Sequence, residues 1–177
     1  HPTWSPDGER IALLREDPAG FRNIWSRNTG EIVWLPASGG DLESVASAPS
    51  DNRLTFSSDG ARISFVADVR PGSFTGDRPP ESELVSVRLD GTDRRTLALS
   101  RAESWEAVAS PDGRGVAFTT REDVFVAAVP VAPEPPVIGE SRGPGPVKRV
   151  TEEGGIDVHW EGGSSMLAWT FGDTHYR

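Results

Sequence analysis

The chain has 177 residues, no cysteine, and 27 acidic against 18 basic side chains, giving a formal net charge of −9. No basic stripe stands out, which argues against a nucleic-acid partner, because phosphate binding needs clustered Lys and Arg. No apolar run approaches the ~18 residues of a membrane span, and the lack of cysteine rules out a disulfide scaffold.

The first element in the chain is a turn signature, Trp4-Ser5-Pro6-Asp7-Gly8. Ser suits position i of a type I turn, Pro presets the backbone at i+1, Asp tolerates i+2 and Gly fits i+3. Short strand-forming runs follow at Arg10-Ile11-Ala12-Leu13-Leu14 and Glu31-Ile32-Val33-Trp34-Leu35, with a third strand expected over 42–46. The unit then repeats. Arg53-Leu54-Thr55-Phe56 leads into Ser57-Ser58-Asp59-Gly60, followed by Arg62-Ile63-Ser64-Phe65-Val66, a strand over 83–89 and another over 95–99. A third copy runs from a strand at 105–109 through Ser110-Pro111-Asp112-Gly113 to strands at 115–119, 123–129 and 147–151. A fourth begins with a strand at 156–160. Its turn, Gly162-Gly163-Ser164, has lost Pro-Asp-Gly, and Met166-Leu167-Ala168-Trp169-Thr170 follows.

The three turn aspartates, Asp7, Asp59 and Asp112, lie 52 and 53 residues apart, and Ala109 to Trp160 is 51. Four short antiparallel strands in a unit of that length predict an all-β chain built of β-propeller blades. The approximate repeats are 1–52, 53–104, 105–154 and a truncated 155–177, so three blades and part of a fourth are expected, as a fragment of a larger propeller. The remaining blades are then the first expected partners. The structural turn residues are Pro6, Asp7, Gly8, Asp59, Gly60, Pro111, Asp112 and Gly113; the aspartates recur because the turn requires them, which makes them poor candidates for acid–base work.

This pattern resembles the TolB-type propeller repeat, a relative of the WD repeat with a Trp-Ser-Pro-Asp-Gly turn. Leu35-Pro36-Ala37-Ser38-Gly39-Gly40 is also typical of that repeat. The order of Ser110-Pro111-Asp112-Gly113, Val116-Ala117-Phe118, Asp123-Val124-Phe125-Val126-Ala127, Val158-His159-Trp160 and Phe171-Gly172-Asp173-Thr174-His175-Tyr176-Arg177 is similar to propellers that precede a metal-dependent amidohydrolase domain. The repeat resemblance covers the whole chain, the amidohydrolase resemblance about residues 105–177. It implies an exported, periplasmic or secreted, bacterial protein whose catalytic metal ligands would lie in a barrel beyond Arg177, with an adjacent domain or protein as partner.

Function on a propeller sits in its loops. Segments 17–30 and 69–82 are longer than a hairpin needs and would bring Phe21, Arg22, Trp25, Arg70, Phe74 and Arg78 to one face. Aromatics mixed with arginine suit an interface, whereas the plainer reading has these loops decorating the surface. A third insertion, 131–146, is rich in Pro and Gly. Six tryptophans tempt one toward sugar binding, but blade-to-blade packing accounts for Trp4, Trp34, Trp160 and Trp169; Trp105 opens an innermost strand.

Two Asp-x-His pairs occur, Asp157/His159 and Asp173/His175. Residues i and i+2 of a strand share a face, so each pair offers two ligands to a metal. They are weak candidates, because spacing supplies no third ligand, and a solvated histidine beside a turn explains each as well. No nucleophile elbow, phosphate loop or dinucleotide fingerprint is present, so neither a catalytic site nor a cofactor is expected in this segment. Three roles remain open: the propeller of a multidomain hydrolase (an amidohydrolase first), a stand-alone TolB-like binding protein, or the gating propeller of a serine peptidase.

Overall fold

The computed structural model describes residues 2–16, 29–49, 53–68, 82–100, 104–120, 122–130, 134–138 and 147–177. The strands are β1 (Thr3–Trp4), β2 (Arg10–Glu16), β3 (Thr29–Pro36), β4 (Glu43–Pro49), β5 (Thr55–Phe56), β6 (Arg62–Asp68), β7 (Ser82–Arg88), β8 (Arg95–Ser100), β9 (Ser104–Ala109), β10 (Gly115–Thr120), β11 (Asp123–Ala128), β12 (Val137–Ile138), β13 (Val147–Arg149), β14 (Ile156–Glu161), β15 (Met166–Phe171) and β16 (Thr174–Tyr176). They form four sheets in chain order: β1-β2-β3-β4, β5-β6-β7-β8, β9-β10-β11-β13 and β14-β15-β16. Within each of these series, neighbouring strands are antiparallel. No helix of the described residues is long and apolar enough to cross a membrane.

The recurring turn explains why the repeat is so regular. In each of the first three copies the Gly amide donates to the Ser carbonyl three residues back, at 2.9, 2.8 and 2.8 Å. The Ser hydroxyl donates to the Asp carboxylate and accepts the amide of Arg10, Arg62 or Gly115. The same carboxylate accepts the amide two residues on, from Glu9, Ala61 or Arg114. Ser and Asp therefore hold the turn by side-chain bonds that do not involve residue i+1, which is why Ser58 serves in the place of proline. Gly8, Gly60 and Gly113 sit at φ of 72°, 68° and 71°, left-handed backbone that costs a Cβ-bearing residue strain.

The sheets bury their faces on one another in sequence. Ala12, Ile32, Val45, Phe56, Ile63, Phe65 and Val85 close the first interface. The second holds Leu84, Ala98, Ala107, Ala109, Val116 and Phe118. Val108, Ala117, Val124 and Val158 fill the third, backed by Trp160, Leu167 and Trp169. The period-2 alternation of a strand is visible in β10, where Val116 and Phe118 face the second sheet and Ala117 faces the fourth. Face-to-face stacking of successive antiparallel sheets is how propeller blades form a core.

One feature departs from a row of uniform four-stranded blades. The insertion after β11 crosses back to the second sheet, where β12 pairs parallel with β8 (Val137 opposite Leu99). Leu99 donates its amide to the Pro136 carbonyl at 2.8 Å, and Ile138 enters the second core. That fifth strand covers the outer edge of the sheet. Trp4 is 59% exposed; it stands opposite Ile11, and neither residue belongs to the core shared with the second sheet.

Candidate functional site

Two side-chain clusters stand out, and both are assembled by the repeat. The first joins the opening segments of three successive sheets. Arg53, just before β5, forms ion pairs with Glu106 of β9 and Asp157 of β14. Glu106 also accepts the Val158 amide at 3.3 Å. Burial pushes the Glu106 carboxyl above its ordinary pKa; the Asp157 charge adds to that rise, while Arg53 and the Val158 hydrogen bond oppose it. All three residues stand on, or just before, the first strand of their sheets.

The second cluster lies on the fourth sheet. His159 sits opposite Ala168, and Thr170 opposite His175; directly opposed residues share a face. Glu161, two residues after His159, lies on that face too. It is the face turned away from the third sheet, since the intervening residues Val158, Trp160, Leu167 and Trp169 pack into the third core. Between the two histidines stands Ala168, whose small side chain lets their rings stack at a centroid distance of 5.7 Å. The Nε2 atoms of His159 and His175 lie 3.5 and 3.8 Å from the same Glu161 oxygen, Oε1. Arg177 holds the other oxygen, Oε2, at 3.2 Å. A ligand atom from each of His159, Glu161 and His175 lies within 4.8 Å of the others.

The structure thus regroups the two Asp-x-His pairs: the histidines come together and the aspartates do not join them. Asp157 has φ of 57° at an irregularity in the β14–β15 register; the left-handed residue breaks the extended geometry on which the i, i+2 rule depends, and its side chain pairs with Arg53 instead. Asp173 lies in the turn between β15 and β16, where it accepts the Thr174 hydroxyl at 3.1 Å. The third member of the cluster is Glu161, which the spacing argument passed over although it stands two residues from His159 on one strand. Arg53 and Glu106 were not legible as a pair, because nothing local links positions 53 residues apart. Phe21, Arg22, Trp25, Arg70, Phe74 and Arg78 lie outside the described residues, as does the Trp105 side chain. Of the turn aspartates, all three are held below the usual carboxylate range, chiefly by the serine hydroxyl of their own turn.

No protein-family model matches the chain, and no curated protein matches it. Among solved structures it is similar to TolB from Acinetobacter baumannii, with a TM-score of 0.61 at 20% identity over 98% of this chain and 38% of that one. The fold is a TolB-like β-propeller. It is also similar to prolyl oligopeptidase B from Galerina marginata (TM-score 0.54, 12% identity, 96% of this chain and 25% of that one). An acylaminoacyl peptidase from Pyrococcus horikoshii gives 0.51 at 12% identity, over 88% of this chain and 26% of that one. At such identities the likeness is one of fold. The chain spans 38% of the TolB structure and about a quarter of each peptidase.

Proposed function

We propose that this chain is a non-catalytic propeller segment of a multidomain hydrolase and that its axial end controls what reaches the catalytic domain. The observation that carries the reading is the Arg53–Glu106–Asp157 cluster, in which three successive sheets join charged side chains at or beside their first strands, the strands that would line the axis of a closed propeller. A charged constriction on the axis of a propeller selects by size and sign before any chemistry occurs. Residues 105–177 resemble propellers that precede amidohydrolase domains, so a metal-dependent amidohydrolase is the parent proposed, exported to the periplasm or beyond. The second reading is a serine peptidase, supported by the names of two similar structures. A stand-alone binding propeller is the third.

One assay on the full-length protein separates them. Hydrolysis of amide substrates that is abolished by a chelator and restored by zinc supports the amidohydrolase. Covalent labelling by a fluorophosphonate, with loss of activity, supports the peptidase. A protein that does neither overturns the hydrolase reading and leaves the binding propeller.

A further inference from the structure

We propose that His159, Glu161 and His175 form a binding site for a divalent transition-metal ion of the zinc class. The tautomer of His159 makes the first argument. Its Nδ1 lies 2.8 Å from the Asp157 carbonyl oxygen. A carbonyl only accepts, so Nδ1 carries the proton and the neutral ring presents its lone pair at Nε2. Backbone bonding of the remote nitrogen is how metal-ligating histidines are commonly oriented. Here the left-handed backbone at Asp157 and that carbonyl contact aim Nε2 at Glu161.

The second argument is what Nε2 meets. It faces Oε1 of Glu161 at 3.5 Å, and His175 Nε2 faces the same oxygen at 3.8 Å. With the rings neutral, as above the imidazole range, a lone pair and a carboxylate oxygen repel unless a metal cation lies between them; below that range a proton on Nε2 can take its place. Zinc bonded to nitrogen and oxygen at about 2.1 Å with tetrahedral angles sets its ligand atoms about 3.4 Å apart, close to both separations. Two histidines and one carboxylate leave a fourth position open to water, the donor set of an exchangeable zinc site rather than a closed structural one. Arg177, bound to Oε2, steadies the carboxylate while leaving Oε1 to the metal.

Calcium and magnesium are poor occupants, since both prefer oxygen ligands. The site is also separable from the proposed hydrolase function, because it lies on the blade itself and binds whether or not a catalytic domain is active. Only one other histidine, His1, exists in the chain, so the titration reads cleanly.

The test is calorimetric titration of the metal-stripped full chain with zinc chloride, at a pH above the ordinary imidazole pKa of ~6.5. Cobalt(II) absorption in the visible range reports the coordination geometry. The expected result is a saturable site with a tetrahedral cobalt spectrum that both histidine substitutions remove, separate from any site a catalytic domain contributes. His159→Gln, His175→Gln and Glu161→Gln should each weaken zinc binding by more than the roughly 10–100-fold that an outer-shell partner is worth, with far-UV circular dichroism and Tm of the metal-free protein unchanged. His175 is on a described edge strand and 44% exposed at its side chain, so its variant serves if another fails to fold. Lack of saturable binding, or binding that survives both histidine substitutions, overturns the proposal.

Discussion

The indole Nε1 of Trp160 donates to the carbonyl of Val108, 3.2 Å away and 52 residues earlier in the chain. That separation is within one residue of the repeat. The Asp112 amide donates to the Ser164 hydroxyl and the Val158 amide to Glu106, each also across 52 residues. Positions within one residue of equivalence in adjacent sheets therefore touch, and the sequence period is maintained by contacts between neighbours as well as by the turn.

Substituting Trp160 separates its two contributions. Trp160→Phe removes the hydrogen bond and keeps an aromatic in the third core, so it should cost about 1 kcal/mol. Trp160→Ala also empties the space beside Val108, Val124 and Val158 and should cost about 3 kcal/mol. Urea unfolding midpoints measure both; equal costs would mean the ring packs too loosely to matter.

The strands and turns were legible in the sequence because their information is local. Ser-x-Asp-Gly closes itself with its own side chains, and Val116-Ala117-Phe118 declares its alternation. What crosses the chain was not legible. β12 is two residues long and pairs in parallel with β8, so no hairpin signal announces it. The histidine cluster depends on register across three strands, and the bulge at Asp157 inverts the expected partnership of Asp157 with His159.

The turn aspartates make the fold acid-sensitive. Asp59 and Asp112 have carboxyl pKa values lowered chiefly by Ser57 and Ser110. A folded pKa below the unfolded one gives stability that is complete above the unfolded value, ~3.9, and is lost as the pH falls through the folded value. Ser57→Ala and Ser110→Ala should raise the carboxyl midpoints of Asp59 and Asp112, read by NMR titration, and make the acid limb of the stability curve shallower. Unchanged midpoints would contradict the role given to the hydroxyls.

Glu106 has the opposite sign. Its folded pKa is raised, so its contribution is complete below the unfolded value, ~4.3, and declines as the pH rises through the folded one. Glu106→Gln should remove that decline and cost less than ~1 kcal/mol near neutrality, because a neutral amide suits a buried place. Arg53→Met should cost more than Glu106→Gln, since it leaves Glu106 and Asp157 without their shared cation. Chemical unfolding at pH values rising from the ordinary carboxyl pKa of ~4.3 would show the two variants diverging; a costlier Glu106→Gln would contradict this.

Gly91, in the turn after β7, packs closely against β4 of the first sheet. Its φ is +77°, and a Cβ there would stand 2.5 Å from the Val45 carbonyl oxygen of the neighbouring sheet. Backbone cannot yield as a side chain does, so Gly91→Ala should cost at least about 1–3 kcal/mol and loosen the first interface. Amide exchange of β4 should accelerate in that variant; protection equal to the parent would show that the contact is dispensable.

The central claim, that the axial cluster selects and does not catalyse, is tested most directly by comparing two substrates in the full-length protein. Arg53→Ala and Glu106→Gln should leave kcat for a small amide unchanged, and should alter kcat/KM for long or charged substrates by about tenfold, which corresponds to ~1.4 kcal/mol at the constriction. An equal loss on both substrates would place the cluster in the reaction itself, and no change on either would remove the gate.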